Sequence, residues 1–193
     1  MRACFLHRCL ALAVLGLLVA TAPEAQTLGQ RLGVFYDAPG TQQIYDMLVL
    51  TDGRTLIRIG NESHAFAPDG SPLGFFRIGS PLVELSDGRI LMWRDDTVYS
   101  HESDGTFIGV FAEDRDEPGA ALQLTGGDVL VAEYGTDNGG PNDDGRVSRF
   151  AADGTPLGDF SNQVLKPVSL AQHADGRVHV GEDRGAKLTR FSP

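Results

Sequence analysis

Val83-Glu-Leu-Ser-Asp-Gly-Arg-Ile-Leu91 is the stretch whose reading decides the fold. Apolar-rich flanks stand on either side of Asp87-Gly88, and Asp-Gly accepts the positive φ of a tight turn. The stretch therefore reads as two antiparallel strands joined by a two-residue hairpin turn. The phrase stands three more times, as Val49-Leu-Thr-Asp-Gly-Arg-Thr-Leu-Ile57, Leu122-Gln-Leu-Thr-Gly-Gly-Asp-Val-Leu130 and Leu170-Ala-Gln-His-Ala-Asp-Gly-Arg-Val178.

A second turn follows the first three phrases: Pro68-Asp-Gly-Ser71, Ser103-Asp-Gly-Thr106 and Ala152-Asp-Gly-Thr155. Each leads into a short phrase with glycine second and phenylalanine fourth. These are Leu73-Gly-Phe-Phe76, Ile108-Gly-Val-Phe111 and Leu157-Gly-Asp-Phe160, and a further copy, Leu32-Gly-Val-Phe35, stands alone near the N-terminus. Two hairpins per repeat make four short antiparallel strands in ~40 residues, the unit of a β-propeller blade.

The spacing supports the repeat. Asp52 to Leu73 and Asp87 to Ile108 are both 21 residues, whereas Gly126 to Leu157 is 31, so the third repeat carries ten extra residues. The expected fold is all-β, a propeller of about four four-stranded antiparallel blades in one domain. The fourth repeat has no closing phrase of its own, and Leu32–Phe35 has no hairpin before it. The N-terminal strand is therefore expected to complete the last blade and close a monomeric ring, which leaves no open sheet edge at the seam. The alternatives are an open arc, a β-solenoid, or half of a larger ring closed by dimerisation.

Residues 1–25 read as a secretory signal: Arg2 and Arg8, an apolar run from Cys9 to Ala22, and cleavage after Ala25. The apolar run is short for a span of ~20 residues, and no other run is long enough. The expected organisation is a signal at 1–25 and a propeller at 26–193, in a secreted or periplasmic protein with no membrane span after cleavage. Both cysteines, Cys4 and Cys9, lie in the signal, so the remaining chain has neither disulfide nor thiol chemistry. Formal net charge is −10, and removing the signal makes it one unit more negative. Such a charge disfavours nucleic acid and anionic membranes as partners and suits divalent cations.

Gly127-Asp-Val-Leu-Val-Ala-Glu-Tyr-Gly135, Gly145-Arg-Val-Ser-Arg-Phe150 and Asp153-Gly-Thr-Pro-Leu-Gly158 together resemble the NHL repeat, and Gly176-Arg-Val-His-Val-Gly-Glu182 with Leu188-Thr-Arg-Phe191 resembles it again. The resemblance covers most of residues 45–191 and implies a propeller that serves as a binding or protein-interaction module through one face. Two enzyme groups of similar architecture bear on function. The lactonases resembling senescence marker protein and gluconolactonase hold a divalent metal at the ring mouth, and those resembling streptogramin lyase use a metal and a histidine. The Asn-Gly segment with following tryptophan of the first group and the histidine motif of the second are not found in this chain. A small metal-dependent hydrolase or lyase stays as the alternative to a binding module. The expected ligand is a protein, a small molecule or a glycan, and the expected state is a monomer or dimer.

The third repeat's extra residues fall in Gly135–Gly145, where Asp137, Asn138, Asn142, Asp143 and Asp144 are hard oxygen donors among glycines and Pro141. Calcium takes six to eight such oxygens in a flexible cage. The same residues also dominate solvated Asx turns, and the glycine spacing is not that of an EF-hand. Glu133 and Glu182 share one column at the end of a repeat's second strand, where Arg94 and Ile59 stand in the other repeats. They read as metal ligands or bases, or as carboxylates that hold neighbouring backbone or an arginine. His101 stands in a column otherwise filled by Phe66 and Phe150, as a general base or a packed ring. Trp93 reads as a pocket wall or a blade-packing residue. Arg54, Arg89 and Arg177 read as solvated turn residues, and Arg149 and Arg190 as members of structural ion pairs. No serine sits in a nucleophile elbow.

Overall fold

The structure is a computed structural model that describes residues 42–135, 145–184 and 186–192. The chain divides into two units, Met1–Val34 and Phe35–Pro193, and every described residue lies in the second. Its strands are β1 (Ile44–Val49), β2 (Thr55–Ile59), β3 (Glu62–Phe66), β4 (Pro72–Ile78), β5 (Ser80–Glu84), β6 (Ile90–Arg94), β7 (Thr97–His101), β8 (Phe107–Ala112), β9 (Pro118–Gln123), β10 (Val129–Glu133), β11 (Arg146–Phe150), β12 (Pro156–Ser161), β13 (Pro167–Gln172), β14 (Val178–Glu182) and β15 (Lys187–Phe191). They form four antiparallel meanders in chain order: β1–β4, β5–β8, β9–β12 and β13–β15. These are blades 1 to 4 of a propeller. The expected closure by Leu32–Phe35 lies outside the described residues.

The innermost strands stand side by side in sequence, β1 on β5, β5 on β9 and β9 on β13. The second strands of blades 2 and 3 are thereby covered on both faces, which explains their runs of apolar residues. Ile90, Leu91 and Met92 are buried, as are Val129, Leu130, Val131 and Ala132. Ile90 and Met92 join Leu50, Leu56, Ala65 and Phe76 between blades 1 and 2. Leu91 joins Leu85, Val98, Phe111, Val129, Val131 and Phe150 between blades 2 and 3. Leu130, Ala132, Val147, Val164, Val178 and Val180 fill the space between blades 3 and 4.

The hairpin turns read from the sequence all share one geometry, and it differs from the expected two-residue turn. At the first, Gly53 N–H donates to the Leu50 carbonyl and Leu50 N–H to the Arg54 carbonyl. This is a three-residue loop, a type I turn followed by a left-handed residue. Only the glycine takes positive φ, +86° at Gly53. The aspartate instead holds the far side of the loop, where Asp52 Oδ1 accepts the Arg54 N–H at 2.9 Å. That bond, to the charged form, is the main reason its pKa lies below the usual carboxylate range.

The turns also lock neighbouring blades together. Thr51 donates its N–H and hydroxyl to the Glu84 carboxylate at the end of β5. Ser86 N–H donates to Gln123 at the end of β9, and Thr125 donates twice to Gln172 at the end of β13. Arg54 and Arg89, expected to be solvated, instead reach the Ser103 and Ala152 carbonyls of the next blade's outer turn at 2.8 and 2.7 Å. Arg177 pairs within its own turn, with Asp175 at 2.7 Å. The lock between blades 1 and 2 gives a testable expectation. Glu84→Ala should lower the unfolding free energy by about 1 kcal/mol, and Thr51→Val added to it should cost little more, because the two share one interaction. Additive losses in urea unfolding would show that the contact carries no coupling.

The glycine-phenylalanine phrase forms the outermost strands. Its Phe76 and Phe111 are buried and receive the next blade's outer turn: Gly105 lies against the Phe76 ring and Gly154 against the Phe111 carbonyl and ring.

Candidate functional site

Strand order places the β2–β3, β6–β7, β10–β11 and β14–β15 loops at one end of the blades, together with the connections between blades. The tight turns described above lie at the other end. The loop end carries Glu133, Glu182 and both borders of the 135–145 insertion.

Glu133 is fully buried and each of its oxygens has two donors. Oε1 accepts from Arg115 Nη1 at 3.2 Å and from the Ser148 hydroxyl, and Oε2 accepts from Arg146 Nη2 at 2.8 Å and Asp116 N–H at 3.2 Å. The carboxylate ties the connection into β9 to the β10–β11 pair. Glu182 has the matching place in blade 4: it accepts the Leu165 N–H at 2.8 Å and the Thr189 hydroxyl. Burial pushes its pKa up, but those two bonds and the Lys187 charge outweigh it and the net shift is downward. A carboxyl held below its unfolded value stabilises the fold above that value, and the contribution is lost as pH falls through the folded pKa. The protein should therefore lose stability as pH drops below the ordinary glutamate value near 4.5. Glu182→Gln should flatten that acid limb in thermal unfolding scans, and an unchanged limb would speak against the coupling.

His101 is buried on β7 with Nδ1 unpartnered, edge-on to Phe107 at 5.8 Å between ring centroids. Loss of solvation, reinforced by Arg77, depresses its pKa, so the ring is neutral at pH 7. It ends β7 at the tight-turn end of its blade, whereas Glu133 and Glu182 end β10 and β14 at the loop end. Asp137, Asn138, Asn142, Asp143 and Asp144 lie outside the described residues. Among the described residues no three His, Cys, Asp or Glu side chains come together as a metal site.

The loop end does contain a cavity of about 260 Å³ between blades 1 and 2, lined by Arg58, Asn61, Ser80, Trp93, Arg94 and Asp95 among others. Arg58 organises it. Its Nε donates to the Gly60 carbonyl at 2.8 Å and its Nη1 to Ser80 Oγ at 2.5 Å. The guanidinium lies 5.1 Å from the Tyr45 ring and 5.9 Å from Trp93. Asp95 holds a left-handed backbone at φ 55°, a conformation that costs a non-glycine residue of order 1–3 kcal/mol and clusters at functional loops. Trp93 thus lines the cavity. Arg58 escaped the sequence reading because it sits inside an apolar strand; the signal was an arginine where the other second strands carry Trp93, Ala132 and Gly181. Lys166 was missed as well. It is buried, and its Nζ donates to the Gly135 carbonyl at 3.0 Å and faces the Tyr134 ring at 4.7 Å, which fixes the base of the insertion to the connection into blade 4.

No family model matches the sequence, and no curated protein matches it. Solved structures do. The chain is similar to a putative gluconolactonase (TM-score 0.69, 17% identity, 81% of this chain and 61% of that one). It is similar to virginiamycin B lyase from Staphylococcus aureus (TM-score 0.57, 12% identity, 81% and 58%). It also resembles a chain of the nidogen/laminin complex (TM-score 0.58, 16% identity, 73% and 57%). The chain spans about three-fifths of the length of each of these. At such identities the likeness is one of fold, and the fold shared with the gluconolactonase, the lyase and the NHL-like propellers is the β-propeller.

Proposed function

We propose that the protein is a secreted or periplasmic propeller that acts as a binding module, with its ligand meeting the loop end of the blades. The signal-like pattern of residues 1–25, two arginines followed by an apolar run, supports the address. One observation carries the functional reading: the Arg58 guanidinium, fixed by Ser80 and Gly60 and stacked near Tyr45 and Trp93, lines a cavity at that end. A fixed cation beside an indole, with Asn61 and Asp95 at the edge, is recognition chemistry. The cavity is smaller than a site for a whole drug-sized ligand and suits one sugar ring or one side chain of a partner. The carboxylates of Glu133 and Glu182 are engaged as braces, which disfavours them as an acid/base pair.

Calorimetric titration of residues 26–193 with mono- and oligosaccharides and with acidic and basic peptides, run beside glucono-lactone hydrolysis in added calcium or magnesium, separates the two classes. The binding module predicts saturable heat and no catalysed hydrolysis. Metal-dependent turnover lost in Glu133→Gln, with the fold retained, would replace it with the lactonase reading.

A further inference from the structure

A second cavity, on the outer rim, has different chemistry. A groove of about 440 Å³ runs between β4 of blade 1 and β7–β8 of blade 2, lined by Phe75, Arg77, Arg94, Tyr99, His101 and Phe107 with Ile78. The chain carries a net charge of −10, yet this lining holds two guanidiniums, an imidazole and no carboxylate. Arg77 donates its Nε to the Gly105 carbonyl, which anchors the side chain along the groove. Arg94 stands 5.6 Å from the Tyr99 ring, and its ion pair among the described residues is with the exposed Asp95 at 3.5 Å. Asp104, in the turn at the foot of the groove, is attracted by Arg77, but its Oδ1 already accepts the Thr106 N–H at 2.8 Å.

The walls are aromatic and open. Phe75 and Phe107 are 55% and 54% exposed although both are large apolar rings. Tyr99 and His101 pack beside Phe107 at centroid distances of 6.1 and 5.8 Å. His101 is 6% exposed, and its Nδ1 is buried without a hydrogen-bond partner, a state that buried polar atoms rarely keep in a finished site.

The geometry points to this groove as a binding site for a small aromatic carboxylate: the flat body lies against Phe75, Tyr99 and Phe107, and the anion meets Arg77 and Arg94. Guanidinium recognises a planar carboxylate through parallel N–H donors, and ring-to-ring contact supplies apolar burial with preferred geometry. The groove is separate in chemistry from the loop-end cavity; Ile78 and Arg94 line both, whereas Arg58 and Trp93 line only the latter.

Benzoate is the probe, titrated into residues 26–193 by calorimetry and by NMR of the histidine rings. Saturable one-to-one binding with a shift of the His101 resonances is expected. Benzyl alcohol, which lacks the charge, should bind roughly tenfold more weakly, as should benzoate to Arg77→Gln and to Arg94→Gln, each of which loses a charge-assisted contact. Arg58→Gln should leave benzoate affinity unchanged, so failure here is distinct from failure of the loop-end reading. Arg77→Gln also loses the bond to Gly105; if it does not fold, the exposed Arg94→Gln carries the comparison. No saturable binding at millimolar benzoate, equal affinity for benzyl alcohol, or unaltered affinity in folded variants would overturn the proposal.

Discussion

Replacing Glu133 with alanine should lower the unfolding free energy by about 3–5 kcal/mol, the range seen when one partner of a buried charge cluster is removed. The carboxylate is fully buried and takes four donors from two chain segments, 115–116 and 146–148. Without it the Arg146 side chain, 17% exposed, and the Asp116 N–H keep their desolvation and lose their acceptor. A raised Arg146 pKa, due first to its hydrogen bond with Glu133, has the same origin. For a domain of this size each kcal/mol moves the melting midpoint by about 2–4 °C, so the variant should melt roughly 10 °C below wild type. Glu133→Gln retains one acceptor and should fall between them. Circular dichroism melts decide the matter: a loss of about 0.5 kcal/mol or less, the range of ordinary surface substitutions, would mean that the carboxylate is not a brace.

Gly154→Ala should be far more damaging than the same substitution at the matching position of the β5–β6 turn. Its φ is +93°, and a Cβ there would lie 2.5 Å from the Phe111 carbonyl oxygen and 3.3 Å from its ring. The obstacle is backbone of the preceding blade, which no rotamer change removes. Gly88 supplies the control, with φ +86° at the same turn position and open space around the added carbon. Gly88→Ala should cost only the left-handed conformation, about 1–2 kcal/mol. Gly154→Ala should cost at least about 2 kcal/mol more, since overlap within a packed contact typically adds 1–3 kcal/mol. Equal losses in urea unfolding would show that the outer turn does not dock tightly on blade 2.

The blades were legible because their determinants are local. Asp-Gly and Gly-Gly between apolar runs marked the turns, and the columns Phe66, His101, Phe150 and Ile59, Arg94, Glu133, Glu182 fall where the strand registers put them. The turn type was not legible, because Asp-Gly serves both a two-residue turn and a type I turn with a left-handed glycine. The locks between blades depend on residues more than thirty positions apart, Thr51 with Glu84 and Arg89 with Ala152, which no single-repeat reading joins. Comparing repeats contains the signal: Thr51, Ser86 and Thr125 occupy one turn position, and Glu84, Gln123 and Gln172 one strand end. Ala174 and Val49 break those two columns at the last and first described blades. The cavities were hidden for the same reason, since Arg58, Ser80 and Trp93 meet only when two blades stack.

Trp93 is the chain's single tryptophan and lines the loop-end cavity, so its fluorescence reports directly on the proposed recognition site. The decisive measurement is its emission during titration with the tightest-binding saccharide or peptide, in wild type and in Arg58→Gln. A saturable emission change that Arg58→Gln weakens at least tenfold, the consequence expected when a fixed charge-assisted contact is lost, is the result this account predicts. Binding that leaves Trp93 emission unmoved and survives Arg58→Gln would contradict it and place recognition elsewhere on the propeller.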